Sequence, residues 1–174
     1  MTKILSQFLS TLPVAKRDAT VTVSDGTNAI SGATVTIGST DKTSGDDGKA
    51  TFANLEYGTY TVSVSKSGYA TNTGTLTVDA THSTLTIELE VVDTITITVN
   101  DGTDAIEGAS VVIGETTKTT NSSGECTFTN MTYDDYSATV TATGYTDKTE
   151  TLQFRSNHKS FTISLTAVEQ GGGG

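Results

Sequence analysis

The sequence has one cysteine, one proline and no tryptophan in 174 residues. A single Cys126 cannot form an intramolecular disulfide, so no covalent crosslink of that kind holds the fold. Cations are scarce too. Ten Lys and Arg stand against twenty Asp and Glu, giving a net charge of −10 and a pI near 4.4. Binding to a nucleic-acid backbone needs clustered Lys and Arg, and this balance argues against it. No apolar run approaches the ~20 residues of a membrane-spanning helix. Charged residues reach only 17%, and with so many β-branched residues that composition is unlike a disordered chain. What the chain has in quantity is threonine, 38 residues of it, with 17 glycines.

Residues 18–93 align on residues 94–169 at a constant offset, without a gap, with 33 of 76 positions identical. Asp25-Gly26-Thr27 falls on Asp101-Gly102-Thr103, Gly32-Ala33 on Gly108-Ala109, Phe52 on Phe128, and Gly68-Tyr69 on Gly144-Tyr145. An ungapped match of this length marks a duplicated domain of about 76 residues, near the small end of the domain range.

Within each copy the hydrophobic period is two. Val21 and Val23, Val35 and Ile37, Tyr60, Val62 and Val64, and Leu85, Ile87, Leu89 and Val91 alternate with mostly Thr or Ser. Such alternation predicts half-buried antiparallel strands. Threonine is stiff and β-branched, and suits the wet face of a pleated sheet. Turn signals at Asp25-Gly26, Gly38-Ser39, Asp47-Gly48, Lys66-Ser67-Gly68 and Asp79–Ser83 separate the runs, and each copy holds seven strands. These are expected over 19–24, 33–37, 40–44, 49–53, 59–65, 73–78 and 84–91. The fold class is all-β: two tandem seven-stranded antiparallel β-sandwiches, over 18–93 and 94–169. Only Asp93-Thr94 joins the copies, with none of the Gly, Ser or Pro of a flexible linker. The expectation is a stiff rod.

Residues 1–17 differ from the repeats. They carry Lys3, Lys16 and Arg17 and no acid. Ile4, Leu5, Phe8, Leu9 and Leu12 share one face of a short helix, which Pro13 should stop. The reading is a basic amphipathic helical arm, with Ile4, Leu5, Phe8, Leu9, Leu12, Lys16 and Arg17 as its assembly residues. Ser6, Gln7, Ser10 and Thr11 interrupt the apolar stretch that a secretory signal would need. An isolated helix this short is marginal in water, so the arm needs a surface to dock on. The tail 170–174 ends in four glycines without structural preference.

The order of motifs carries a family resemblance. An opening strand leads to Gly32-Ala33-Thr34-Val35. Then come Asp47-Gly48-Lys49-Ala50-Thr51-Phe52, and Gly58-Thr59-Tyr60-Thr61-Val62-Ser63-Val64-Ser65-Lys66-Ser67-Gly68-Tyr69. This resembles the carboxypeptidase-regulatory-like domains, akin to prealbumin-like, PEGA and Cna B-type surface domains. The resemblance covers both copies and implies an Ig-like or prealbumin-like sandwich. It implies little about function. In the second copy Asp134, Ala138 and Ala142 replace Gly58, Val62 and Lys66. Cna B-type relatives often carry a Lys–Asn crosslink. Here the strands expected at 19–24 and 95–100 lack Lys, and those at 84–91 and 160–167 lack Asn, so no such bond is expected.

Candidate chemical groups read as structural. Cys126 stands where the first copy has Ala50, two residues before the equivalent Phe, which places it on the inward face. His82 and His158 are equivalent turn residues, too few for a zinc site. Asp46-Asp47-Gly48 lacks the alternating acids and distal Glu of a calcium loop, and the second copy has Ser122-Ser123 there. The six tyrosines fall into three equivalent pairs, a sign of fold rather than ligand. Asn121-Ser122-Ser123 and Asn130-Met131-Thr132 fit the glycosylation pattern without counterparts in the first copy. No catalytic, cofactor or metal residues are assigned, and no cofactor is expected.

Two functional expectations remain. The first is a non-enzymatic phage virion component, a head decoration or tail or fibre protein, docked on capsid or tail proteins through residues 1–17 with the acidic sandwiches projecting. The second is a secreted or cell-surface module that adheres to a host glycan or protein. Homo-oligomers through strand edges are compatible with either.

Overall fold

The computed structural model describes residues 14–169. The helical arm expected over 4–12 and the glycine tail lie outside the described residues. Fourteen strands and no helix occur among the described residues. The first unit contains β1 Lys16–Ser24, β2 Thr34–Ile37, β3 Thr40–Thr43, β4 Lys49–Glu56, β5 Gly58–Ser65, β6 Asn72–Val78 and β7 Thr84–Glu88. The second contains β8 Val92–Asn100, β9 Ser110–Ile113, β10 Thr116–Thr119, β11 Glu125–Thr132, β12 Asp135–Thr141, β13 Lys148–Gln153 and β14 Ser160–Ser164. The division between the units falls between Glu90 and Val91.

Each unit is a sandwich of a three-stranded and a four-stranded sheet. The orders are β4-β1-β7 and β3-β2-β5-β6, repeated as β11-β8-β14 and β10-β9-β12-β13. The sandwich expectation holds, with one correction. The sheets are not wholly antiparallel, because β7 pairs with β1, and β14 with β8, in parallel. With an odd number of alternating strands, the last runs the same way as the first.

The period of two accounts for the core. Ala19, Val21 and Val23 of β1 turn inward and meet Val35 and Ile37, Phe52, Val62 and Val64, Leu76 and Val78, and Ile87. The second unit repeats the pattern with Ile95, Ile97, Val99, Val111, Ile113, Phe128, Val140, Leu152, Phe154 and Ile163. Full burial of each such side chain contributes roughly 1.5–3 kcal/mol. Threonines occupy the outer faces, opposite one another at Thr59↔Thr77 and Thr61↔Thr75, and at Thr139↔Thr149.

Strand ends differ from the expected limits for local reasons. β1 begins at Lys16 rather than 19, and β4 runs to Glu56 rather than 53. Their ladder continues past a bulge, from Ala19↔Phe52 to Arg17↔Leu55. Asn54 takes φ of 56° there, its N–H bonded to Asp18 Oδ1 at 2.9 Å, so the alternation is broken although the pairing is not. Lys16 and Arg17, read as part of the arm, therefore open the first strand. β7 ends at Glu88 rather than 91, yet Leu89 N–H still reaches Ser24 O, and Glu90 O accepts from Ala70 N–H.

One buried polar side chain per unit locks the loop between the first two strands. Ser44 Oγ accepts from Ala33 N–H at 2.9 Å and donates to Ile30 O at 2.7 Å. The equivalent Thr120 Oγ1 does the same between Ala109 and Ile106, at 2.9 and 2.6 Å. Sequence reading missed both, since a hydroxyl among 38 threonines and many serines carries no local signal. Gly48 and Gly124 also have no substitute. Each has positive φ, and a Cβ there would lie 2.4 Å from the carbonyl of Val23 or Val99.

Removing the Ser44 hydroxyl leaves a buried donor and acceptor unpaired, at about 1–3 kcal/mol. Ser44→Ala should therefore lower the stability of the first unit by about that amount in denaturant unfolding, and Ser44→Thr should retain most of it. Gly48→Ala combines left-handed backbone with a backbone clash, and should destabilise by roughly 2–4 kcal/mol in the same measurement.

Candidate functional site

The groups that a reader would first suspect of chemistry lie at the turns, and there they bind backbone. Asp25 Oδ1 accepts from the N–H of Thr27 and Asn28 at 2.9 and 2.6 Å, and Asp101 Oδ1 from Thr103 and Asp104 at 2.9 and 2.8 Å. Asp79 Oδ1 accepts from the N–H of Thr81 and of His82, each at 2.7 Å, and the Asp79 carboxylate contacts His82 Nδ1 at 2.9 Å. These are Asx turns, in which a carboxylate replaces a backbone acceptor. The backbone N–H donors stabilise the charged form. They hold Asp25 and Asp101 below the usual carboxylate range and Asp79 far below it.

Asp46 and Asp47 belong to the β3–β4 turn. Asp46 accepts from Ser31 Oγ at 3.0 Å, and Asp47 from Lys49 N–H at 3.1 Å. In the second unit Asn121 takes over this work, accepting from Ser123 and Glu125 N–H at 2.9 Å each. Its side-chain oxygen is thus engaged at the first of the two glycosylation patterns. At the second, Asn130 sits in the bulge with φ of 59°.

Cys126 is buried opposite Ile97 on β8. Burial pushes its thiol up, against the pull of Lys118, so the reactive thiolate is disfavoured. His82 and His158 occupy equivalent turns. The His158 ring packs at 4.4 Å on Phe161. Among the described residues no group of three or more His, Cys, Asp or Glu is placed to hold a metal.

The tyrosines serve the fold in matched fashion. Tyr60 OH donates to Glu56 O at 2.8 Å, and Tyr136 OH to Thr132 O at 2.9 Å, closing the same hairpin in each unit. Tyr57 and Tyr133 diverge. Tyr133 packs its ring, tilted by 51°, on Phe154 at 5.1 Å and donates to Asp93 at 3.1 Å, whereas Tyr57 is exposed.

The two units also differ where their first strands begin. Arg17 donates to the carbonyls of Asp79 and Ala80, at 3.3 and 2.6 Å. Its counterpart Asp93 is an acid, and ion-pairs with Lys159 in the loop before β14. The pairing lowers the Asp93 pKa and raises that of Lys159, as expected for two charged partners. Lys16, the lysine that β1 gains, ion-pairs with Glu56 at 3.5 Å. Of the seven residues assigned to the arm, Ile4, Leu5, Phe8, Leu9 and Leu12 lie outside the described residues.

In the first unit a groove of about 250 Å³ opens between β3 and β4, lined by Ile37, Thr40, Lys42, Phe52, Ala53 and Leu55. It is smaller than the roughly 300–1,000 Å³ of small-molecule sites. Nothing in it pairs an acid with a base.

The motif resemblance holds at the level of fold. Residues 19–90 match the family described as the carboxypeptidase regulatory-like domain. No curated protein matches the chain in sequence. Among solved structures, the Bacillus anthracis TIE protein is 19% identical, over 88% of this chain and 34% of that one, with a TM-score of 0.44. A streptococcal ancillary pilin is 13% identical, over 91% of this chain and 64% of that one, with a TM-score of 0.48. The shaft pilin SpaA from Lactobacillus rhamnosus GG is 15% identical, over 89% and 99%, with a TM-score of 0.44. The chain thus spans about a third of the first protein's length and less than two thirds of the second's.

The lowered carboxylates set the acid response. A depressed folded pKa adds stability that is present above the unfolded value, near 4, and is lost as pH falls through the folded value. Melting temperature should hold steady from neutrality to about pH 5 and fall below about pH 4. Asp79→Asn keeps an acceptor oxygen but cannot titrate, so its acid limb should be shallower. An unchanged limb would mean that Asp79 does not carry the effect.

Proposed function

We propose that this chain, whose residues 19–90 match the carboxypeptidase regulatory-like domain, is a non-enzymatic structural or adhesive module displayed on an exterior surface. One observation carries the reading. In both units a turn carboxylate and a buried hydroxyl are engaged with backbone at equivalent positions, Asp25 and Asp101 and Ser44 and Thr120. Polar groups used this way stiffen loops and are withdrawn from acid–base or nucleophilic work. The duplication then supplies a second copy of the same presented surface. An outer face of threonine hydroxyls stays wetted without exposing the apolar patches that drive association. The net charge of −10 favours solubility in the same direction.

The virion expectation depends on docking through residues 1–17. Two of the three cations counted in that arm, Lys16 and Arg17, are engaged within the first unit, with Glu56 and with the loop at Asp79–Ala80. Surface display does not depend on those two side chains being free, so it is the reading we carry forward.

The discriminating measurement is fractionation of the producing cells with an antibody against the two units. Antibody labelling or protease shaving of intact cells should detect the protein. Recovery only in purified virus particles would establish the virion role instead. Recovery only in the soluble cell interior would overturn both.

A further inference from the structure

We infer that each unit is built to bear tension along the chain, with its parallel first and last strands acting as a shear clamp. The function is mechanical. It follows from strand order within each unit and not from where the protein is displayed.

The geometry is the same in both copies. β1 and β7 lie side by side and run in the same direction over five residue pairs, from Thr20↔Thr84 to Ser24↔Glu88. β8 and β14 do so from Thr96↔Ser160 to Asn100↔Ser164. The chain enters a unit at the start of the first strand and leaves at the end of the last. Pulling on the two ends therefore drags neighbouring strands in opposite directions along their own axes. Every rung of the ladder is loaded together, at right angles to its hydrogen bonds. Had the last strand run antiparallel to the first, both ends would emerge on one side, and the rungs would open one at a time.

Three further features reinforce this arrangement. First, the loaded strand is central. β1 is held on its other side by β4, and β8 by β11, so each has a full complement of neighbours. Sliding it also moves Ala19, Val21 and Val23, or Ile95, Ile97 and Val99, out of a fully buried core. Second, bonds beyond the five pairs extend the clamp at both ends. Thr20 N–H donates to Ser83 O and Leu89 N–H to Ser24 O, matched by Thr96 to Lys159 and Leu165 to Asn100. In the second unit Ser164 Oγ adds a bond to Asn100 Oδ1 at 2.6 Å.

Third, a side-chain clasp joins the start of the first strand to the loop that feeds the last. The two units achieve it with opposite charge. Arg17 binds the carbonyls of Asp79 and Ala80 in one, and Asp93 pairs with Lys159 in the other. Two solutions at one position, after duplication, favour a clasp over an accident of surface charge. Past the last strands the chain stays pinned, Glu90 O by Ala70 N–H, and Val168 N–H by Gly144 O.

Rupture under load is governed by the unfolding barrier rather than by equilibrium stability. Single-molecule force spectroscopy on the full chain reads it directly. Held by its two termini, the protein should extend in two all-or-none steps. Each unit has 73 residues between the start of its first strand and the end of its last. Each step should thus release roughly 250 Å of chain, less the folded length. The comparison is the variant Lys16→Cys, Ser83→Cys, Cys126→Ala, held through the two new thiols at one end of the clamp. Cys126→Ala places there the residue found at position 50. The first unit should then yield at a several-fold lower force. A full-length step in each trace verifies that the unit was folded when pulled. Equal forces in the two geometries would overturn the clamp. So would stepwise peeling of a first or last strand under terminal load.

Discussion

Everything in this structure depends on the closure of the last strand of each unit onto the first. β1 brings Ala19, Val21 and Val23 to the core and is paired on both edges, by β4 and β7. Remove β7 and that strand becomes an edge, Ile87 leaves the core, and the turn at Asp79–Ser83 has nothing to hold. The pairing joins residues more than sixty positions apart, as Thr20 with Thr84, so it carries a large loop-closure cost. The alternating apolar faces offset that cost. In a domain of about 76 residues little else is available, because so small a unit buries only about 60% of its surface.

Conservation of role between the copies separates what the fold needs from what it tolerates. Ser44 and Thr120 differ by a methyl group and make the same two bonds. Ala50 and Cys126 differ by a sulfur and both lie inside. Gly74 differs from Glu150 more sharply. The bare backbone of Gly74 lets Ile87 and Leu85 of β7 approach to within 3.2 Å of where its Cβ would stand. Glu150 instead turns its carboxylate to Lys148, at 3.1 Å. Changes are tolerated inside as well, where Ala19, Val62 and Val78 become Ile95, Ala138 and Phe154 and each remains buried, so the core selects for apolar character rather than for one side chain.

The functional reading follows from the same economy. A protein whose loop carboxylates and buried hydroxyls are engaged with backbone has rigid loops on a rigid frame. Rigid loops suit presentation and load-bearing. Catalysis asks for the reverse, a polar group held ready with an unsatisfied partner. The clamp and the surface module are compatible, because a part displayed on an exterior is held at one place and pulled at another.

Most of the strand layout was legible in the sequence, because a period of two over Val, Ile and Thr is a local signal that the pleat converts directly into an inside and an outside. The duplication, the turns and the inward Cys126 followed from the same kind of evidence. What the local pattern did not carry was direction and partnership. The parallel pairing of β1 with β7, the extension of β1 back to Lys16 through a bulge, and the Ser44 lock each join residues far apart in the chain. An unbroken alternation stops at Phe52, although the ladder runs on to Glu56. The sequence alone thus determined which face of each strand is buried, since that depends on neighbours two residues away. Only the tertiary structure decided which strands meet, because a hydrogen-bonded rung is specified by both of its sides at once.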